Sequence, residues 1–137
     1  MALIEWNESL SVGVEEIDFQ HRRWIDMINA MDEALSVGGA EKLEQIKDES
    51  IKAMVDYAWF HFKYEEQYLK DLGYPELAAH REDHNRFKMN LRQIQADVDR
   101  GFQPLNTQLM SIMMNWLKDH IMMEDKKYAA YAEQAGQ

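Results

Sequence analysis

Two amphipathic helices and the break between them are encoded in residues 54–91, MVDYAWFHFKYEEQYLKDLGYPELAAHREDHNRFKMNL. Apolar residues recur at three- and four-residue intervals on both sides of the break Gly73-Tyr74-Pro75, which is the spacing of one buried helical face. Glycine commonly follows the end of a helix, and proline is favoured in the first helical turn. We therefore expect Pro75 to open the second helix, and the two helices to pack as neighbours with a short connection.

The rest of the chain repeats this pattern. One periodic segment runs from about Asp18 to Val37, the second covers 41–72, and the third runs from Pro75 through Val98. A fourth segment follows Pro104. The positions predicted to face the core are Phe19, Trp24, Ile25, Ile28, Met31 and Leu35, then Leu43, Ile46, Ser50, Met54, Tyr57 and either Phe60 or His61, then Phe87, Leu91, Ile94 and Val98, and finally Leu105, Leu109, Ile112, Met113, Trp116, Leu117 and Ile121.

Helices with short connections can bury such faces only by packing on one another. No segment alternates with the two-residue period of a β-strand. The prediction is an all-α protein, an antiparallel up-down four-helix bundle with an N-terminal arm. We expect residues 1–137 to form one domain, with the arm over 1–17 and the bundle over 18–134.

Composition excludes several classes of function. The chain has 137 residues, 15 Lys plus Arg against 25 Asp plus Glu, a net charge of −10 and no cysteine. Such a charge repels nucleic acid and anionic lipid surfaces, and no apolar run is long enough for a membrane span. We expect no nucleic-acid partner, no membrane insertion, no thiolate chemistry and a cytoplasmic protein, since the first residues lack the basic start of a secretory signal.

The chemistry lies in five histidines, which fall in all four predicted helices. Glu65 follows His61 by four residues, and His84 follows His80 by four. A step of four returns to the same helical face one turn on, so each pair can bind one metal ion or bridge two. The competing interpretation is a set of hydrogen-bonded core histidines, which is the commoner role of a single buried His such as His21. Five of them converging beside a carboxylate favour a metal site.

These residues resemble the hemerythrin family, specifically its single-domain bacterial form. The resemblance begins in the arm with Trp6, residues 11–14, Ile17, Asp18 and Gln20, and differs from the usual family pattern at Trp24 and Tyr68. Its ligand motifs are His21, His61-xxx-Glu65, His80-xxx-His84 after Tyr74-Pro75-Glu76, and Trp116 to His120 with Asp125, Lys126 and Tyr128.

The resemblance implies two non-haem iron ions bridged by an oxo or hydroxo group and two carboxylates. One iron would be bound by His80, His84 and His120 and the other by His21 and His61, with Glu65 and Asp125 bridging both. It implies reversible oxygen binding for transport, storage or delivery, and no catalytic residue. Dioxygen is the expected ligand, an oxygen-consuming protein the candidate recipient, and a monomer the expected state. The oxygen pocket would be walled by Trp24, Phe62, Trp116 and Met122.

Helical spacing alone disagrees with the resemblance at one ligand. Glu124 lies four residues after His120, whereas Asp125 lies five residues after it, about 140° round an ideal helix. A local widening of the π-bulge kind would bring Asp125 to the metals, and we follow that interpretation with Glu124 at the surface. Glu66 and Asp83 point about 100° away from their neighbouring ligands, which predicts plain surface charges.

Counting ligands supports oxygen binding over catalysis. Two octahedral ions have twelve positions, of which five imidazoles, two bridging carboxylates and one bridging hydroxide fill eleven. The open position falls on the iron bound by His21 and His61. The alternatives are detoxification of the di-iron oxidase or peroxidase type, and oxygen or iron sensing through a partner. Ferritin-like oxidases use Glu-xx-His motifs, which this sequence lacks.

Overall fold

Four helical rods run alternately up and down, and the first packs against the second and the fourth. A computed structural model describes residues 4–37, 40–101 and 107–136, with all side chains there except those of residues 37, 40–51 and 107–109. Within these residues there is no β-strand, and the predicted all-α four-helix bundle is confirmed. The elements are a short 3-10 turn (Glu8–Leu10), α1 (Glu15–Val37), α2 (Ala40–Leu72), α3 (Leu77–Asp99), α4 (Thr107–His120), a π-helical turn (Ile121–Asp125) and α5 (Lys126–Gln134).

The fourth rod is one continuous helix made of three pieces, because the π-helical turn joins α4 directly to α5. None of the helices in the described ranges is both long and apolar enough to cross a membrane. The predicted core residues Leu105 and Leu109, together with Leu43, Ile46 and Ser50, lie outside the described side chains.

The arm is tied to the start of α1 by Asp18. Its carboxylate accepts hydrogen bonds from the Val12 backbone N–H at 2.9 Å and the Ser11 hydroxyl at 2.5 Å. Acidic residues in the first turn favour a helix N-terminus, and α1 begins at Glu15, three residues before the predicted start. The arm therefore packs as part of the bundle, and Val12 is buried in its core.

Gly73 ends α2 in the left-handed conformation, with φ of +74°. Pro75 lies in the following turn and not in the first turn of α3, because Glu76, with φ −103° and ψ 26°, is not yet helical. The helix begins at Leu77, and its first backbone bond runs from the His80 N–H to the Glu76 carbonyl at 3.0 Å. This tight connection sets the start of α3 beside the end of α2, where the predicted metal ligands of both helices lie.

Most predicted core positions with described side chains are buried or partly buried, but two predictions are wrong. Phe19 and Ile112 are each more than half exposed. Phe19 lies two residues from both Ile17 and His21, hence about 200° from each on the helix, and both of those are buried. Of the two alternatives on α2, His61 is the inward residue, and Phe60 points out of the bundle.

Candidate metal centre

The seven side chains predicted as metal ligands meet in the middle of the bundle. All four rods contribute, and none of the seven residues is more than 4% exposed. They are His21 on α1, His61 and Glu65 on α2, His80 and His84 on α3, His120 at the end of α4, and Asp125 at the end of the π-helical turn.

The π-helical turn explains how Asp125 joins this cluster. In a π-helix the hydrogen bond spans five residues, so a step of five makes about one turn and brings Asp125 below His120. The widening suggested by the sequence is therefore present, over Ile121–Asp125. Glu124 lies at the surface, as expected, and its carboxylate is 3.5 Å from the Lys127 ammonium.

Three imidazoles and two carboxylate oxygens form the first half of the cluster. Oε1 of Glu65 lies 2.8 Å from Nε2 of His80 and 2.9 Å from Nε2 of His84. Oδ1 of Asp125 lies 3.1 Å from Nε2 of His80 and 3.0 Å from Nε2 of His120. Adjacent ligands of an octahedral first-row metal, bound at about 2.1 Å, are separated by about 3.0 Å. The spacing of this half is that of an octahedral ligand set.

The other half contains His21 and His61. Oε2 of Glu65 lies 3.5 Å from Nε2 of His61 and 3.8 Å from Nε2 of His21. Oδ2 of Asp125 lies 3.2 Å from Nε2 of His21. Each carboxylate thus presents one oxygen to each half, which is the arrangement that two bridged metal ions require.

Several buried polar atoms of the cluster lack a hydrogen-bond partner among the described residues. Both ring nitrogens of His21, Nε2 of His61 and both carboxylate oxygens of Asp125 have no hydrogen-bond partner in the described part of the chain. Neighbouring nitrogens nevertheless approach the Asp125 oxygens to 3.0–3.2 Å. Buried polar atoms that converge without hydrogen-bond geometry cost free energy unless a further positive group satisfies them.

The tautomers of two histidines give the same result. Nδ1 of His84 donates to Oε2 of Glu66 at 2.8 Å, and Nδ1 of His120 donates to Oδ2 of Asp83 at 2.6 Å. When both rings are neutral, their Nε2 lone pairs point inward, and these two nitrogens are 3.1 Å apart. In that state the facing lone pairs repel, and a proton or a shared metal ion removes the repulsion. The donor set thus fits a pair of imidazole-rich metal ions.

The electrostatics of the cluster also call for positive charge. Burial lowers the pKa of His80, but the negatively charged carboxylates of Asp125 and Glu65, at 3.1 and 2.8 Å from Nε2, outweigh it and raise that pKa to about 9. The same balance raises the pKa of His120 well above its ordinary value. Burial raises the pKa of Glu65, yet its histidine partners hold it well below the usual range. Protons on these histidines supply the charge that metal ions would otherwise provide.

Sequence reasoning missed the groups that orient the ligands. Glu66 and Asp83 were predicted as plain surface charges, and this is wrong, because each reaches across the α2–α3–α4 interface to an imidazole. Gln20 contacts Nδ1 of His61 through Oε1 at 2.7 Å, and Tyr128 donates its hydroxyl to Oε2 of Glu65 at 2.9 Å. A carboxylate next to a predicted ligand, at the edge of a helix–helix contact, was the available signal.

Three of the four residues predicted to wall an oxygen pocket pack directly on imidazoles of the cluster. Phe62 stacks on the His84 ring at 4.0 Å between centroids, and Trp116 is nearly parallel to the His120 ring at 4.8 Å. Trp24 meets the His61 ring edge-on at 5.6 Å. Phe62 and Trp24 are fully buried, while Trp116 is partly exposed.

The prediction that Met122 forms part of the pocket wall is wrong. Its side chain is 41% exposed and lies on the outside of the π-helical turn. Ile121 occupies the inward position and is fully buried. One residue further rotates the side chain by roughly 80–100°, which carries Met122 away from the cluster.

Comparison with known proteins agrees with this geometry. The family model described as "Hemerythrin HHE cation binding domain" matches residues 12–132. A bacteriohemerythrin of Stenotrophomonas maltophilia is 33% identical over 129 residues, covering 94% of this chain and 81% of the relative. One from Clostridium acetobutylicum is 30% identical, covering 90% and 96%. The crystal structure of a wild-type hemerythrin superposes with a TM-score of 0.85 at 28% identity, covering 94% of this chain and 97% of the other. The chain belongs to the hemerythrin family.

Proposed function

We propose that this protein binds dioxygen reversibly at a non-haem di-iron centre, for oxygen transport, storage or delivery. The ligands would be His21, His61, Glu65, His80, His84, His120 and Asp125. The observation that carries the proposal is the sharing of both carboxylates, since each of them offers one oxygen to the three-imidazole half and one to the two-imidazole half. Two iron ions, when bound there, would supply electrons to dioxygen and recover them on its release.

The asymmetry of the cluster supports a single binding position. Three imidazoles belong to one half, and His21 and His61 belong to the other. With both carboxylates shared, the second half has one protein ligand fewer, which leaves space for a small molecule. The seven residues are enclosed, with none of them more than 4% exposed, which favours a small ligand such as dioxygen over an organic substrate.

Residues around the ligands hold their protons in fixed places. Glu66 and Asp83 keep Nδ1 of His84 and His120 protonated, so that each Nε2 stays free to bind metal. The Tyr128 hydroxyl keeps its hydrogen bond to Oε2 of Glu65, and burial with the nearby Glu65 charge raises the pKa of that phenol well above its usual range. Trp24 and Phe62 exclude water from the site, which slows loss of the bound oxygen in reduced form.

Anaerobic reduction of the iron-loaded protein followed by admission of oxygen tests this proposal. We expect a visible charge-transfer band to form with oxygen and to disappear under vacuum, over repeated cycles of one sample. A band that forms once and decays without recovery would indicate a di-iron oxidase. No band in a sample that holds two iron ions would refute oxygen binding.

A further inference from the structure

A shallow groove between α2 and α3 carries charge opposite to that of the whole molecule. The chain has a net charge of −10 and 15 Lys plus Arg. The groove, of about 460 Å³, is lined by four of these cations and one carboxylate. We call it the α2–α3 groove, defined by Trp59, Phe60, Lys63, Glu66, Gln67, Lys70, Arg81 and Lys88. A local positive surface on an acidic protein attracts an acidic partner to this one face.

Aromatic residues accompany the cations. Phe60 is 54% exposed beside the groove, and Tyr64 on the following turn is also exposed. Nζ of Lys88 lies 5.6 Å and Cζ of Arg92 lies 5.3 Å from the centroid of the Trp59 ring. These cation–π contacts hold both cations near the surface of the groove. Exposed aromatic residues combined with arginine are the composition that protein interfaces favour at their centre.

The floor of the groove is in contact with the proposed metal centre. Oε1 of Glu66 accepts from Nε of Arg81 at 3.0 Å, and Oε2 of the same carboxylate accepts from Nδ1 of His84 at 2.8 Å. Lys88 lies 5.9 Å from the ring of Phe62, which stacks on His84. The groove is therefore separated from a ligand imidazole by one side chain and one hydrogen bond.

We propose that the α2–α3 groove is the docking surface for an acidic electron-donor protein, which reduces the metal centre through Glu66 and His84. This rests on the proposed function, because an oxygen carrier whose iron has oxidised to the ferric state without bound oxygen takes up no dioxygen until it is reduced. In each encounter one electron leaves the reduced cofactor of the donor and converts one ferric ion to ferrous, and two encounters restore both ions. No covalent bond of either protein would be made or broken, and a bridging oxo group would take up one proton from solvent to become hydroxide. Electron-transfer complexes bury little surface and depend on salt, as a shallow charged groove requires.

The test compares two double variants with the same change of charge. Lys63→Glu/Lys70→Glu reverses the groove, and Lys52→Glu/Lys118→Glu reverses two exposed lysines outside it. Lys63 and Lys118 each lie two residues before a proposed ligand, so direct effects on the centre are matched. The probe is a reduced acidic plant-type ferredoxin, whose binding and second-order rate of reducing the oxidised protein are measured at low and high ionic strength. Dithionite, a small reductant that needs no docking surface, serves as the control reductant.

At low ionic strength we expect the groove variant to bind ferredoxin at least about tenfold more weakly than the native protein. We expect its second-order rate of reduction by ferredoxin to fall by at least about tenfold as well. The control variant should change less than about twofold, and dithionite should reduce all three proteins equally. Equal effects in the two variants, or no effect in either, would overturn the proposal. If reduced flavin mononucleotide depends on the groove and ferredoxin does not, the groove is a small-anion site and the docking proposal is wrong.

Failure of the proposed function gives a different pattern. A protein that bound no oxygen could still bind ferredoxin at the α2–α3 groove, and the measurement of ferredoxin binding would detect this. Reversible oxygenation together with groove-independent reduction by ferredoxin would leave the proposed function intact and remove this inference alone.

Discussion

The Nε2 atoms of His84 and His120 face each other at 3.1 Å, while the opposite nitrogens of the two rings donate to carboxylates. In the proposed metal centre, this arrangement would orient both imidazoles for metal binding before any metal is bound. The carboxylates that fix it, Glu66 and Asp83, raise the basicity of the ligand nitrogens and hold the ring orientation.

Replacing Asp83 by Asn should weaken iron binding. The amide can still accept from Nδ1 of His120, but it lacks the negative charge, so affinity should fall by about 10- to 100-fold. Competition with a chelator of known affinity measures the change. Glu82→Gln, an exposed neighbour with the same change of charge, is the control and should leave affinity unchanged. Equal affinities of the native and Asp83→Asn proteins would remove Asp83 from the centre.

Replacing His61 by Ala should lower the iron content from two ions to about one per chain, because the smaller half of the cluster then keeps one imidazole and the two shared carboxylates. Iron and protein are quantified on one purified sample. Gln67→Ala, an exposed substitution six residues further along α2, should retain both ions. A His61→Ala protein that holds two ions and still oxygenates reversibly would contradict the ligand assignment.

Shortening Phe62 should let water reach the site. Phe62→Leu keeps an apolar side chain but uncovers the His84 ring, and we expect autoxidation of the oxygenated protein to rise roughly tenfold, equivalent to about 1.4 kcal/mol of barrier. The autoxidation rate is measured as the decay of the visible band of the oxygenated protein after the oxygen supply is stopped. Met122→Ala is the matched exposed control and should change neither autoxidation nor the melting temperature. An equal acceleration in Met122→Ala would reinstate that residue as part of the pocket wall.

Sequence periodicity predicted where helices occur more reliably than how each helix is rotated. Gly73 and the four-residue spacing of His61 with Glu65 depend on local geometry, which a single helix determines. The inward role of Asp83 and the outward position of Phe19 depend on which neighbouring helix lies beside them, and one sequence contains no direct record of that. Met122 was placed by the family resemblance alone, although a position two residues beyond His120 is about 200° round a helix, and its side chain is exposed.

The metal-free and iron-loaded proteins should respond to pH in opposite directions. The pKa of His80 rises from its ordinary 6.5 to about 9 in the folded metal-free protein, so its contribution to stability is complete below pH 6.5 and is lost as pH rises through 9. The melting temperature of the metal-free protein should therefore fall between these pH values. Burial lowers the pKa of His61 below its ordinary 6.5, so titration of His61 does not contribute to the change in melting temperature between pH 6.5 and 9.

Iron competes with protons for the same histidine nitrogens, so its stabilising effect should grow as pH rises from about 5 to 7. Thermal melts with and without iron between about pH 5 and pH 9 measure both slopes. A melting temperature that is identical with and without iron at neutral pH would count against a buried metal centre.

Oxygen uptake counted against iron on one reduced, anaerobic sample tests the central claim most directly. The account predicts two iron ions per chain, uptake of one dioxygen per pair, and its full recovery under vacuum without loss of iron. Uptake that continues beyond one dioxygen per pair, or that cannot be recovered, would contradict reversible binding at a shared di-iron centre.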